Sequence, residues 1–289
     1  MPTQAASTAR RTPPAPAALN CGEVVPCIRG ENSSVGVRAN RYFVTPESRM
    51  RSQPRLLLVH GSVVNAELTW GAQKPLAGRF EIVAPNRRGF PPGPDVERVD
   101  FEDEAVWLEQ FLEPGTHLVG HSYGGVVALL AAARRPELLR SLTVIEPPAF
   151  GVARGNPAAD EFITGIEEHW ANGPRDPAEF LRGFLALVGS SIPPGDINPE
   201  LLQGARTLMV ERSPAEAVIP FDALEPAPFP KLVVSGAHSA AFDAVCDVLE
   251  ERLGAERAVL AGAGHRAHVR MRCVEQDPAS KLTNGREQR

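Results

Sequence analysis

The sequence predicts an α/β fold: a mostly parallel central sheet flanked by helices, with a helical insertion. Three observations carry this reading. Continuous apolar runs such as Leu56-Leu57-Leu58-Val59 and Leu142-Thr143-Val144-Ile145 are what a parallel strand buried on both faces requires. Amphipathic helical stretches alternate with those runs, so each strand is followed by a helix able to cover the sheet. Between residues 151 and 220 the alternation stops, and helical patterns follow one another with no strand between.

Taken in order, residues 1–33 are rich in Ala, Pro, Thr and Ser and read as a disordered tail. The Arg10-Arg11 pair is followed by Thr-Pro-Pro-Ala-Pro, not by the apolar stretch of an export signal. The first part of the core is assigned to 34–150, where Val35, Val37 and Tyr42-Phe43-Val44 are candidates for two short opening strands. Leu56 to Val59 and Phe80 to Ala84 are predicted strands, and Asp100 to Phe111 a helix with Phe101, Ala105 and Leu108 on one side. Thr116 to Val119 then leads as a strand into Gly120-His121-Ser122-Tyr123-Gly124, and a helix follows until Pro136 stops it. Leu142 to Ile145 delivers Glu146 at a strand end, before Pro147-Pro148. In 151–220, Asn156-Pro157, Asp176-Pro177 and Asn198-Pro199 each place a capping side chain ahead of a proline at the first helical position. The second part of the core, 221–268, holds the strand Lys231 to Ser235, a helix from Ala240 to Leu253, and a last short strand at Arg257 to Leu260. A polar tail is expected over 269–289, with no apolar repeat for a closing helix.

The pentad at the strand-to-helix switch carries the chemistry. So tight a turn holds Ser122 at strained backbone angles with its hydroxyl pushed above the sheet, while the Tyr123 amide and the helix N-terminus face the same place. A serine hydroxyl is a weak nucleophile and needs a base to take its proton. A histidine suits that task when a carboxylate orients it. Gly264-His265 after the last strand makes His265 the preferred base, with His268 its rival. Glu146, at a strand end, and Asp243 are the two candidate carboxylates.

These motifs, from Arg55 to His268, resemble those of the alpha/beta-hydrolase superfamily. The resemblance implies the alpha/beta-hydrolase fold, with a helical cap over 151–220. It also implies an oxyanion hole built from the amides of Ser62 and Tyr123. The chain order of the family, with the acid between Ser122 and His265, admits both carboxylates and favours Glu146. His60, Gly61 and His121 are placed on the substrate-binding side of the site, although for the side chain of His60 inward packing that holds the loop is the preferred reading. His238 becomes a pocket or surface histidine. In the loop Asn86-Arg87-Arg88-Gly89, Asn86 stands where relatives commonly carry aspartate, which predicts a loss of packing or of a hydrogen bond. The function implied is a serine hydrolase acting on a carboxylic ester, lactone or similar acyl bond of a small apolar or amphipathic substrate. The alternatives are carbon–carbon bond hydrolysis, cofactor-free peroxidase or lyase chemistry on the same fold, and a non-catalytic small-molecule binder.

Composition narrows the field of partners. A net charge of -5 argues against nucleic acid or an anionic membrane, and no apolar run approaches a membrane helix. Four cysteines without ligand spacing predict neither a disulfide framework nor a metal site, so no cofactor and a reducing, cytoplasmic setting are expected. Cys246 reads as a core residue, while Cys21 and Cys27 are the one candidate pair. Oligomeric state is left open by the sequence.

Overall fold

A computed structural model describes residues 53–273, apart from 192–194 and 196. The expected opening strands, the Cys21–Cys27 pair and the tails at 1–33 and 274–289 lie outside the described residues.

Among the described residues, six strands form one parallel sheet: β1 (Arg55–Val59), β2 (Glu81–Val83), β3 (Thr116–His121), β4 (Leu139–Ile145), β5 (Lys231–Ser235) and β6 (Glu256–Val259), in the order β2-β1-β3-β4-β5-β6. Alternation along β1 explains its unbroken apolar sequence. Leu57 and Val59 enter the core on one face, Leu56 and Leu58 the core on the other. The first face is covered by α2 (Phe101–Leu108), α3 (Tyr123–Arg134) and α8 (Ala240–Leu253). The second is covered by α1 (Ala66–Trp70), the 3-10 stretch Gly71–Gly78 and Ala267. Asp100 caps α2 by accepting from the Glu102 amide at 2.8 Å, and α2 passes into a 3-10 turn at Glu109–Phe111.

Between β4 and β5 the chain forms α4 (Pro157–Asn172), α5 (Pro177–Leu187), α6 (Pro199–Met209) and the short α7 (Phe221–Leu224). The Asn156, Asp176 and Asn198 side chains accept from amides of the first turns of α4, α5 and α6, with proline in each first turn. Each cap contributes about 1 kcal/mol.

The chain leaves β1 toward β2 on one side and returns to β3 on the other, so the strand order reverses around β1. In open parallel sheets the crevice beyond the strand C-termini at such a reversal is the natural place for a ligand. Ser62 and Ser122, just past the ends of β1 and β3, stand there. Among the described residues no helix is long and apolar enough to cross a membrane.

Candidate active site

Ser122 follows β3 directly and takes φ 53° and ψ -129°, a conformation costing about 1–3 kcal/mol for a residue with a side chain. Its amide donates to the Ile145 carbonyl at 2.9 Å, and its carbonyl accepts from Gly125 at 2.7 Å, so both sides of the turn are pinned. Close approach dictates the flanking glycines. A Cβ on Gly124 would lie 2.3 Å from the His60 carbonyl oxygen, and one on Gly120 would lie 2.3 Å from that of Gly124.

The Ser122 Oγ lies 3.0 Å from Nε2 of His265, which sits in the 3-10 segment Gly264–Cys273 beyond β6. The other ring nitrogen, Nδ1, faces Glu146 Oε2 at 3.4 Å. Glu146 emerges from β4 at φ 49° and is fully buried, and its Oε1 accepts a hydrogen bond from the Gly236 amide. Burial, with a smaller push from His238, lowers the His265 pKa to about 3, so the ring is held neutral, as a base must be. Burial pushes Glu146 up to about 7, opposed by the Gly236 hydrogen bond and by His238. Of the two candidate acids, only Glu146 reaches His265. Asp243 lies within α8 and pairs with Arg257 at 3.3 Å. His268, the rival base, packs its ring on His121 at 4.0 Å, and its carbonyl accepts from Gln73 at 2.7 Å.

Ser122, His265, Ser62 and Tyr123 border a cavity of about 530 Å³. Its walls are largely apolar, with Phe150, Phe162, Ile166, Trp170, Phe184, Leu208 and Phe242 contributing; Glu211, Arg212, Glu167 and Glu216 add charge. The Tyr123 amide lies in the first turn of α3, where no intrahelical acceptor exists.

His60, Gly61 and His121 require a correction, since none of the three borders this cavity. His60 is fully buried; its Nδ1 donates to the Gly61 carbonyl at 2.8 Å, and its Nε2 accepts from the Arg87 amide at 2.9 Å. Gly61 is set against the serine turn, where a Cβ would lie 2.7 Å from that of Ser122. His121 donates from Nε2 to the His265 carbonyl at 2.8 Å and so anchors the loop carrying His265. All three brace the site from behind. The expected loss at Asn86 is also corrected, because its Oδ1 accepts from the Ala66 amide at 2.9 Å and satisfies the start of α1. His238 is neither free pocket wall nor surface, standing 3.3 Å from Glu146 Oε2 through its Nδ1.

Sequence reasoning missed a buried ionic cluster behind Ser62. The Arg87 guanidinium donates to Glu104 and to Glu211, each at 2.8 Å, and to the Gly61 carbonyl at 3.0 Å, while lying 4.3 Å over the Tyr123 ring. Glu211 also accepts a hydrogen bond from the Ser62 hydroxyl. Burial raises the pKa of Glu104 to about 7 against the pull of Arg87, and it raises that of Glu211. Burial opposes the Arg87 charge, but the two carboxylates outweigh it and hold its pKa above the ordinary value. A signal for Glu104 was present: Phe101, Glu104, Ala105 and Leu108 share the i, i+3, i+4, i+7 stripe that faces the core.

Comparison with known proteins agrees with this architecture. The chain is 32% identical over 145 residues to the pimeloyl-[acyl-carrier protein] methyl ester esterase of Aeromonas salmonicida, covering 48% of this chain and 55% of that protein. It is 29% identical over 232 residues to the 2-(acetamidomethylene)succinate hydrolase of Mesorhizobium japonicum, covering 74% and 82%. Of several curated relatives, that esterase among them, the chain spans only 36–55% of the length. An alpha/beta hydrolase structure from Sphaerobacter thermophilus DSM 20745 superposes with a TM-score of 0.54 at 24% identity, over 72% of this chain and 84% of that one, a likeness of fold alone. The profile of the alpha/beta hydrolase family matches residues 56–275, which is most of the chain. On that match the chain belongs to the alpha/beta hydrolase family.

Proposed function

We propose that the protein is a serine hydrolase that cleaves a carboxylic ester or related acyl bond through an acyl-enzyme on Ser122. One observation carries the reading: the Ser122 hydroxyl, 3.0 Å from a half-buried imidazole that faces a carboxylate, opens onto an apolar cavity. In the first half-reaction His265 Nε2 takes the hydroxyl proton as Ser122 Oγ bonds to the carbonyl carbon. Glu146 stabilises the imidazolium so formed. The oxyanion draws on the amides of Ser62 and Tyr123 at the cavity wall, each donor being worth a factor of about a hundred or more in rate. The imidazolium returns its proton to the leaving alkoxide, and the alcohol departs. Water then repeats the sequence on the acyl-enzyme, releasing the acid and restoring the serine hydroxyl.

The helices over 151–220 act as a cap in this reading, since Phe162, Ile166, Trp170 and Phe184 line the cavity from α4 and α5. A largely apolar space of about 530 Å³ suits a small acyl chain or aromatic acid, and the name of the Aeromonas relative describes ester cleavage on an acyl chain. Fluorophosphonate labelling with a panel of p-nitrophenyl esters tests the proposal. Wild type should label and turn over at least one ester, whereas Ser122→Ala should not label and should lose about 10⁴-fold or more in kcat. An unlabelled, inactive wild type beside an active control esterase would overturn it.

A further inference from the structure

Three neighbouring strands each deliver one metal-competent side chain to the same spot: Glu146 after β4, His238 after β5 and His265 after β6. The Nδ1 atoms of both histidines converge on one oxygen, Glu146 Oε2, at 3.3 Å for His238 and 3.4 Å for His265. All three candidate donor atoms lie within 4.8 Å of one another. Zinc bonds of about 2.0–2.2 Å in a tetrahedron place adjacent donors about 3.3–3.5 Å apart, so two of the three edges already have the required length. The third closes by turning the His238 ring. Neither nitrogen of that ring has a hydrogen-bond partner, although both are buried, and its one polar contact, Nδ1 to Glu146 Oε2, is the edge that the turn must keep. Glu146 and Ala237, beside His238, are both non-glycine residues at positive φ, 49° and 51°, a concentration of strain common where side chains are aimed at a ligand. The supporting contacts are present too. The Gly236 amide holds the second oxygen of Glu146, as a ligating carboxylate is usually held, and His265 borders the cavity on its Nε2 side.

We propose that Glu146, His238 and His265 form a binding site for a divalent transition-metal ion of the zinc type, and that its occupancy reversibly switches the hydrolase off. A neutral imidazole has one lone pair. The base needs that pair on Nε2, with the proton on Nδ1. A metal on Nδ1 of His265 claims the lone pair there and leaves the ring proton on Nε2, where it can only donate to Ser122. The carboxylate is drawn to the metal at the same time. No bond to substrate and no change of oxidation state is involved, and removing the metal restores the original tautomer. Two imidazoles and one carboxylate select zinc, cobalt or nickel over magnesium and calcium, which prefer all-oxygen sites.

The inhibitory half rests on His265 being the base of the proposed hydrolase; the binding half does not. Zinc titration of chelator-stripped Ser122→Ala protein by calorimetry therefore reads binding without activity. A one-to-one site is expected, weakened by about tenfold or more in Ser122→Ala/His238→Gln and Ser122→Ala/His238→Phe, with magnesium giving no heat. Matching melting curves for these proteins establish that the variants fold. On a p-nitrophenyl ester, zinc should inhibit wild type and EDTA should restore it. His238→Gln, measured against its own metal-free rate, should need about tenfold more zinc. Equal zinc affinity with and without His238 would overturn the site. Binding that requires His238 but leaves ester turnover intact would overturn the switch. Binding with no esterase activity in any protein would count against the proposed function and leave the site standing.

Discussion

Glu146 and Asp243 were both admissible acids on chain order, and only the placement of side chains separates them. A helix start uncertain by a few residues would have moved Asp243 to the strand end. The capping position falls at Ser239 instead, which leaves Asp243 one turn into α8 beside Arg257. Glu146→Gln should lower kcat by about 10³–10⁴-fold, as loss of the orienting carboxylate does in such sites, while Asp243→Asn should stay within a few fold. Steady-state kinetics on one p-nitrophenyl ester decides between them. Arg87 illustrates a different kind of residue, one whose loop was legible but whose partners were not. Glu211 lies 124 positions from it and 149 from Ser62, a separation no local pattern encodes. Arg87→Met would strand two buried carboxylates, and urea denaturation should show a loss of about 3–5 kcal/mol.

At the level of elements, strands and capped helices were the most readable features because their causes are local. Apolar runs that must be buried on both faces, and Asn-Pro or Asp-Pro at helix starts, name themselves. Three-dimensional closeness between elements was unreadable, and α6 shows why. Gly204 sits in the middle of this helix, where glycine costs about 1 kcal/mol against alanine. The reason lies across the gap: a Cβ there would be 1.8 Å from the Val63 carbonyl oxygen. The helix thus rests directly on the loop that carries Ser62. Gly204→Ala should push α6 from that loop, lowering stability by about 1–3 kcal/mol and kcat more than KM. A thermal melt and the same ester assay read both effects.

Across the molecule, two carboxylates share one guanidinium in the buried cluster of Arg87, Glu104 and Glu211, which ties the stability of the whole fold to pH. Glu104 has a folded pKa of about 7, above its ordinary value, so the fold favours its protonated form. The stability this group contributes is fully present below its unfolded pKa and is lost as pH rises through about 7. The melting temperature of wild type should therefore fall between about pH 5 and 8, and Glu104→Gln should remove part of that fall. The mostly parallel sheet could be anticipated from strand and helix alternation, and the chain order of serine, acid and histidine from the resemblance, whereas the reversal of strand order around β1 could not. Inward packing of His60 and the core-facing position of Glu104 were readable locally, but the partners of Arg87 and the role of His121 were not, since those contacts exist only once distant loops meet.

The attachments of α6 bear on how a ligand gets in. Its Thr207 hydroxyl donates to the Gly89 carbonyl at 2.7 Å, Gln203 donates to Gly89 and Gly93, and the residue just beyond its end, Glu211, is held by Arg87 and Ser62. One flank of the helical insertion is thereby held by the sheet's own loops, and α4 is held as well, its Ala159 and Ile163 buried in the main core and its Phe162 ring 5.6 Å from Phe242 of α8. Any opening should therefore move α5 between two fixed posts, with amide exchange slower along α4 and α6 than along α5.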